Sequence, residues 1–130
     1  MNRPIVYFAH PLGGDVDGNV KRAYQWLRWL MRSEPEVAFV APWLACVAAG
    51  ADDNNPDARE RGLLDAGAVI KRCDGIVLCG DRISSGMHRE LATAIQHGVY
   101  VTNLTGLPQP DAATEAVPEV LETFRVEIKL

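Results

Sequence analysis

Short apolar runs that end at turns, separated by stretches with helical periodicity, constrain this chain more than any other feature. Ile5-Val6-Tyr7-Phe8-Ala9 is uninterrupted, as in a strand buried on both faces, and it stops at His10-Pro11-Leu12-Gly13-Gly14. The two glycines there let the backbone turn tightly or approach a ligand. Val20, Ala23, Tyr24, Leu27, Leu30 and Met31 then recur at helical spacing, with Asn19 as a plausible N-cap and the helix running to about Ser33. A second unit starts with Val37-Ala38-Phe39-Val40-Ala41 and closes at Pro42-Trp43. The polar stretch from Gly50 to Pro56 reads as a loop or lid, and a helix is expected over residues 57–72. A strand over 75–79, a helix over 85–97 and a strand at Val99-Tyr100-Val101-Thr102 follow. The last segment, broken by Pro108, Pro110 and Pro118, has room for a short helix near Val120 to Phe124 and a final strand over 125–129.

Strands alternating with helices imply an α/β fold: one three-layer domain over residues 1–130, with a mostly parallel sheet covered on both faces. In such folds ligands sit beyond the carboxyl ends of the strands, where Tyr7 to Gly14, Pro42-Trp43 and Gly80 to Glu90 all fall.

Composition narrows the function classes. With 130 residues and a net charge of −4, the chain lacks the basic stripe that phosphate-backbone binding requires, so nucleic acid is not the expected partner. No run approaches the roughly 20 apolar residues of a membrane span, and the start lacks a signal-peptide pattern, so a cytoplasmic protein is expected. Cys46, Cys73 and Cys79 lack CxxC spacing and read as buried thiols of a reducing compartment. His10, His88 and His97 have no metal-ligand spacing, so neither metal nor cofactor is expected. Trp26 and Trp29, off the main apolar stripe of the first helix, suggest a subunit interface and hence a homodimer or larger assembly.

The chemistry concentrates in Cys73-Asp74-Gly75-Ile76-Val77-Leu78-Cys79-Gly80 and Ser84-Ser85-Gly86-Met87-His88-Arg89-Glu90. This is a strand, a turn with two hydroxyls and a glycine, and a helix that opens with a carboxylate in its first turn. Unpaired N–H groups at a helix N-terminus suit an anion or a sugar oxygen. Together with Val6-Tyr7-Phe8-Ala9 and Gly13-Gly14, these residues resemble the nucleoside 2-deoxyribosyltransferase family and its relatives, the deoxynucleoside 5′-monophosphate N-glycosidases. The likeness reaches about residue 103.

The resemblance implies a flavodoxin-like (Rossmann-like) fold and N-glycosidic cleavage through a covalent glycosyl-Glu90 intermediate, with Tyr7 orienting Glu90 and Asp65 as candidate proton donor to the leaving base. Ser84, where the nucleoside transferases carry aspartate, points to a 5′-phosphate held with Ser85 and Gly86. His88 and Arg89, where relatives often carry small or apolar residues, would reshape the pocket or add charge. His10, Gly13, Gly14 and Trp43 complete the expected binding set, Trp43 by stacking on a base. The expected partner is thus a small-molecule nucleoside or nucleotide. Two alternatives stand beside this reading: a catalytically silent nucleotide-binding module, and an NAD-type glycohydrolase, the latter weakened by the lack of GxGxxG.

Overall fold

The computed structural model describes residues 3–111. Four strands, β1 (Ile5–Ala9), β2 (Ala38–Val40), β3 (Gly75–Leu78) and β4 (Tyr100–Asn103), alternate with helices α1 (Val16–Ser33), α2 (Pro42–Ala48), α3 (Pro56–Ile70) and α4 (Ser85–Gln96). All pairings are parallel, in the order β2-β1-β3-β4. The expected α/β class and parallel sheet are present, with a core on each face of the sheet.

Side chains of β1 alternate between those cores, which is why the whole run is apolar. Val6 and Phe8 pack with Ala23, Trp26 and Leu30 of α1 on one face. Tyr7 and Ala9 pack with Ala66 and Ile70 of α3 and Met87 and Ala94 of α4 on the other. At the amino end of the sheet, Asp74 serves the backbone, its carboxylate accepting from the Ile5 amide at 2.8 Å.

Several expectations change. Helix α1 begins at Val16 with Asp15 as its cap, accepting from the Gly18 amide, and Asn19 is instead a buried residue inside the helix. Asn19 Nδ2 donates to the carbonyls of Leu12 at 2.8 Å and Gly13 at 3.3 Å, holding the glycine loop to the helix. Trp26 and Trp29 are not an interface. They lie 2% and 4% exposed in the core, edge to face at 5.6 Å, whereas Tyr24 and Met31 of the expected stripe face solvent. The sheet-facing positions are Ala23, Trp26, Leu30 and Ser33, about 80° round the helix from the expected stripe at the 100° step of a helix.

Pro42 ends β2 as expected but also opens α2, because proline suits the first helical position, where its missing N–H costs nothing. Cys46 on that helix is exposed, Cys73 is half-buried, and only Cys79 is fully buried, so the reading of three buried thiols holds for one. Helix α3 starts at Pro56, one residue earlier than expected, with Asn55 Oδ1 accepting from the amides of Asp57 and Ala58. The expected helix near 120–124 and strand over 125–129 lie outside the described residues. No described helix is long and apolar enough to cross a membrane.

Because Trp26 fills the core between α1 and the sheet, Trp26→Ala is expected to cost about 3–5 kcal/mol, read by urea denaturation. A loss below about 1 kcal/mol would place the indole outside the load of that core.

Candidate active site

The chain leaves β1 toward β2 through α1 on one face, and reaches β3, on the other side of β1, through α3 on the opposite face. The loops after β1 and β3 therefore diverge at the carboxyl edge, and a crevice opens between them. A cavity of about 500 Å³ occupies it. Its wall brings together Tyr7, His10, Gly13, Gly14, Trp43, Asp65, Ser84, Ser85, Gly86 and Glu90, which is every expected site residue except His88.

Glu90 lies in the second turn of α4, not the first, so complementing the helix dipole does not account for it. The phenol of Tyr7, itself 1% exposed, sits beside the Glu90 carboxylate across the gap between β1 and α4, placed to donate to it. Burial raises the Glu90 pKa to about 7, and the Tyr7 hydrogen bond works against that rise. The same burial, with the neighbouring carboxylate, pushes the Tyr7 phenol far above its ordinary range, so it stays protonated as the donor.

Other wall residues are held by structural contacts. Trp43 Nε1 donates to the Phe8 carbonyl at 2.9 Å, and its ring stacks on Phe8 at 6.1 Å, so the indole is fixed to the end of β1. A Cβ at Gly13 would sit 3.1 Å from Asp53 Oδ2, so the polar segment before α3 packs closely on the glycine loop there. Asp65 lines the wall on the exposed side of α3, with its carboxylate 3.6 Å from Arg61 Nε.

Ser84 is the N-cap of α4, its Oγ accepting from the Met87 amide at 3.3 Å. Ser85 Oγ accepts from Arg59 Nη2 at 2.8 Å. Arg59 and Arg82 are wall residues that the sequence reading missed. The position of Arg59 in α3, 26 residues before Ser85, carries no signal of the contact, which exists only because α3 packs on α4. Of the two arginines on the wall, Arg82 has a carboxylate partner in Asp81, whereas Arg59 has none among the described residues.

His88 and Arg89 do not reshape the cavity. Both are exposed, and Arg89 forms a two-pronged ion pair with Glu60 at 2.7 and 2.8 Å, clamping α4 to α3. Among the described residues, no group of three His, Cys, Asp or Glu is arranged to hold a metal ion.

A family model described as a domain of unknown function, DUF7768, matches residues 4–104. The chain belongs to this family. The matched span contains all four strands and every wall residue named above. No curated protein matches the chain.

The raised Glu90 pKa has a consequence for stability. The folded protein holds this proton more tightly than the unfolded chain, so the carboxyl favours folding fully below about pH 4.5 and loses that contribution as pH rises to about 7. Glu90→Gln, neutral throughout and still able to accept from Tyr7, is expected to match the parent near pH 4.5. At pH 8 it should be the more stable by on the order of 3 kcal/mol. Thermal melts of both proteins at the two pH values measure this, and equal differences at both would mean that Glu90 ionises freely in the fold.

Proposed function

We propose that this protein cleaves the N-glycosidic bond of a nucleoside or deoxynucleoside, or of its 5′-monophosphate, with Glu90 as the nucleophile. The observation that carries the reading is the Tyr7–Glu90 pair: a desolvated carboxylate, oriented by a buried phenol, in a cavity of ligand size. A carboxylate oxygen of Glu90 would attack the anomeric carbon while the bond from C1′ to the base nitrogen breaks. The bonding electrons leave with the base, which takes up a proton. Water then attacks C1′, the ester to Glu90 breaks, and the water gives up a proton; a second base in place of water makes the reaction a transfer.

Asp65 is the wall carboxyl offered for the proton to the leaving base. The resemblance to nucleotide-cleaving enzymes supports a phosphate near Ser84 and Ser85. Arg59 adds a guanidinium, held against Ser85 and without a carboxylate partner among the described residues. The competing silent binding module draws on one observation: a carboxyl with a pKa of about 7 is only half ionised at neutral pH, which a binder tolerates more readily than an enzyme.

Release of free base from nucleosides and their 5′-monophosphates, followed by chromatography, tests the reading. Glu90→Gln should lower release by on the order of 10³-fold or more. The rate should rise with pH through about 7, as Glu90 ionises. Tyr7→Phe should slow release roughly 10- to 100-fold, for the loss of a hydrogen bond to a charged group. It should also move that limb to higher pH, because the phenol favours the ionised carboxylate. No release from any member of the panel, with nucleotide binding intact, would establish the silent module instead.

Substituting Arg59→Gln should raise KM for 5′-monophosphates about tenfold while leaving nucleosides unchanged. An equal effect on both substrate types would remove the phosphate from this end of the cavity.

A further inference from the structure

A second cavity, of about 460 Å³, adjoins the first at the carboxyl edge of β1 and β3. The two share His10, Gly13, Gly14 and Arg82, and thus form one crevice with Arg82 at the junction. The loop from β3 to α4 lines both in order: Gly80, Asp81 and Arg82 face the second cavity, then Arg82, Ser84 and Ser85 the first. A substituent on a phosphate near Ser84 would follow this loop past Arg82.

We propose that the second cavity is a subsite for the distal half of a dinucleotide, so that the preferred ligand is two nucleosides joined through a pyrophosphate rather than a mononucleotide. This rests on the proposed function for which half is cleaved and for the phosphate near Ser84.

The second cavity is built of polar groups. His10 and Asn19 line it and are only 6% and 5% exposed. The Nδ1–H of His10 donates to the Pro11 carbonyl at 2.7 Å, so in the neutral ring Nε2 is the acceptor. That Nε2 is buried without a partner. It lies against Gly80, where a Cβ would come within 3.2 Å of it, and Gly80 lines the second cavity. An acceptor left without a donor carries a desolvation cost, which a ligand hydroxyl would relieve if the glycine turn moved aside on binding. A ribose supplies such a hydroxyl.

Arg22, whose Nη2 donates to Asn19 Oδ1 at 2.9 Å and to Asp15 Oδ2 at 3.3 Å, also lines the second cavity. Arg82 is paired with Asp81 at 3.2 Å and Arg22 with Asp15 at 3.3 Å, so in the proposed complex these two exposed ion pairs would open and each guanidinium would exchange its carboxylate for one phosphate of the linkage. Gln109 closes the outer end, its amide bound to the Arg22 carbonyl at 3.0 Å and to Gln25 Oε1 at 2.9 Å.

The test is calorimetric titration of the Glu90→Gln protein with NAD and diadenosine pyrophosphate, and with their halves NMN and AMP. At least one dinucleotide should bind tenfold or more tightly than either of its halves. Arg22→Gln, and separately Leu107→Trp at a half-exposed position of the second cavity, should each erase that advantage while the halves bind as before. Unchanged binding of the halves also shows that each variant is folded. Dinucleotides that bind no better than their halves, or an advantage that survives both substitutions, overturn the proposal. Base release by the unsubstituted protein is read in parallel. If no base appears while the dinucleotide advantage holds, the glycosidase reading fails and the second subsite stands.

Discussion

The parallel pairing of β1 with β3, in the register that sets Tyr7 beside Ile76 and Ala9 beside Leu78, is the constraint on which the rest depends. Strands adjacent in space but separated in sequence by β2 must be reached over opposite faces of the sheet. The loops that follow them cannot pack together, and the crevice is the result. Both cavities lie in that gap, and so do the glycine loop and the turn before α4. Gly80, at φ +110°, lets the two loops pass closely, since a Cβ there would sit 2.7 Å from Pro11 Cδ.

Within this frame Tyr7 and Glu90 join the central strand to α4. Burying a carboxylate beside apolar residues is unfavourable, and the shift of Glu90 to about 7 records how much of that cost its hydrogen bond leaves uncompensated. A group chosen for stability alone would be a glutamine or an apolar residue. Its presence on a ligand-sized cavity fits selection for chemistry at that site.

The helix pair α3 and α4 decides which charges the cavity sees. The Arg89–Glu60 clamp takes one guanidinium out to the surface, and the Arg59–Ser85 contact brings another in. Neighbouring arginines of similar solvent exposure thus have different consequences. Their assignment follows from the angular position of each residue on its helix and from the contact between the helices.

Much of the fold and part of the site were legible in the sequence. The runs Ile5 to Ala9 and Gly75 to Leu78 are apolar at every position because both faces of the sheet are covered, and this alone sets the α/β class. The hydroxyl, glycine and carboxylate spacing from Ser84 to Glu90 placed a carboxylate on a helix after the third strand, near the strand ends. A helical wheel, however, does not decide which of two adjoining apolar faces meets the sheet, so the sequence reading put Trp26 and Trp29 on a subunit interface and buried Tyr24 and Met31. It also set His88 in the cavity, although that side chain projects away from it. Local pattern thus determined the elements, their order and the position of Glu90 along the chain. The resemblance had set Tyr7 beside Glu90, but only tertiary packing decided that Arg59 would reach Ser85 and that His10 would lie beneath Gly80. These contacts join residues far apart in sequence, and their geometry depends on crossover handedness, strand register and helix rotation, none of which a single chain's periodicity encodes.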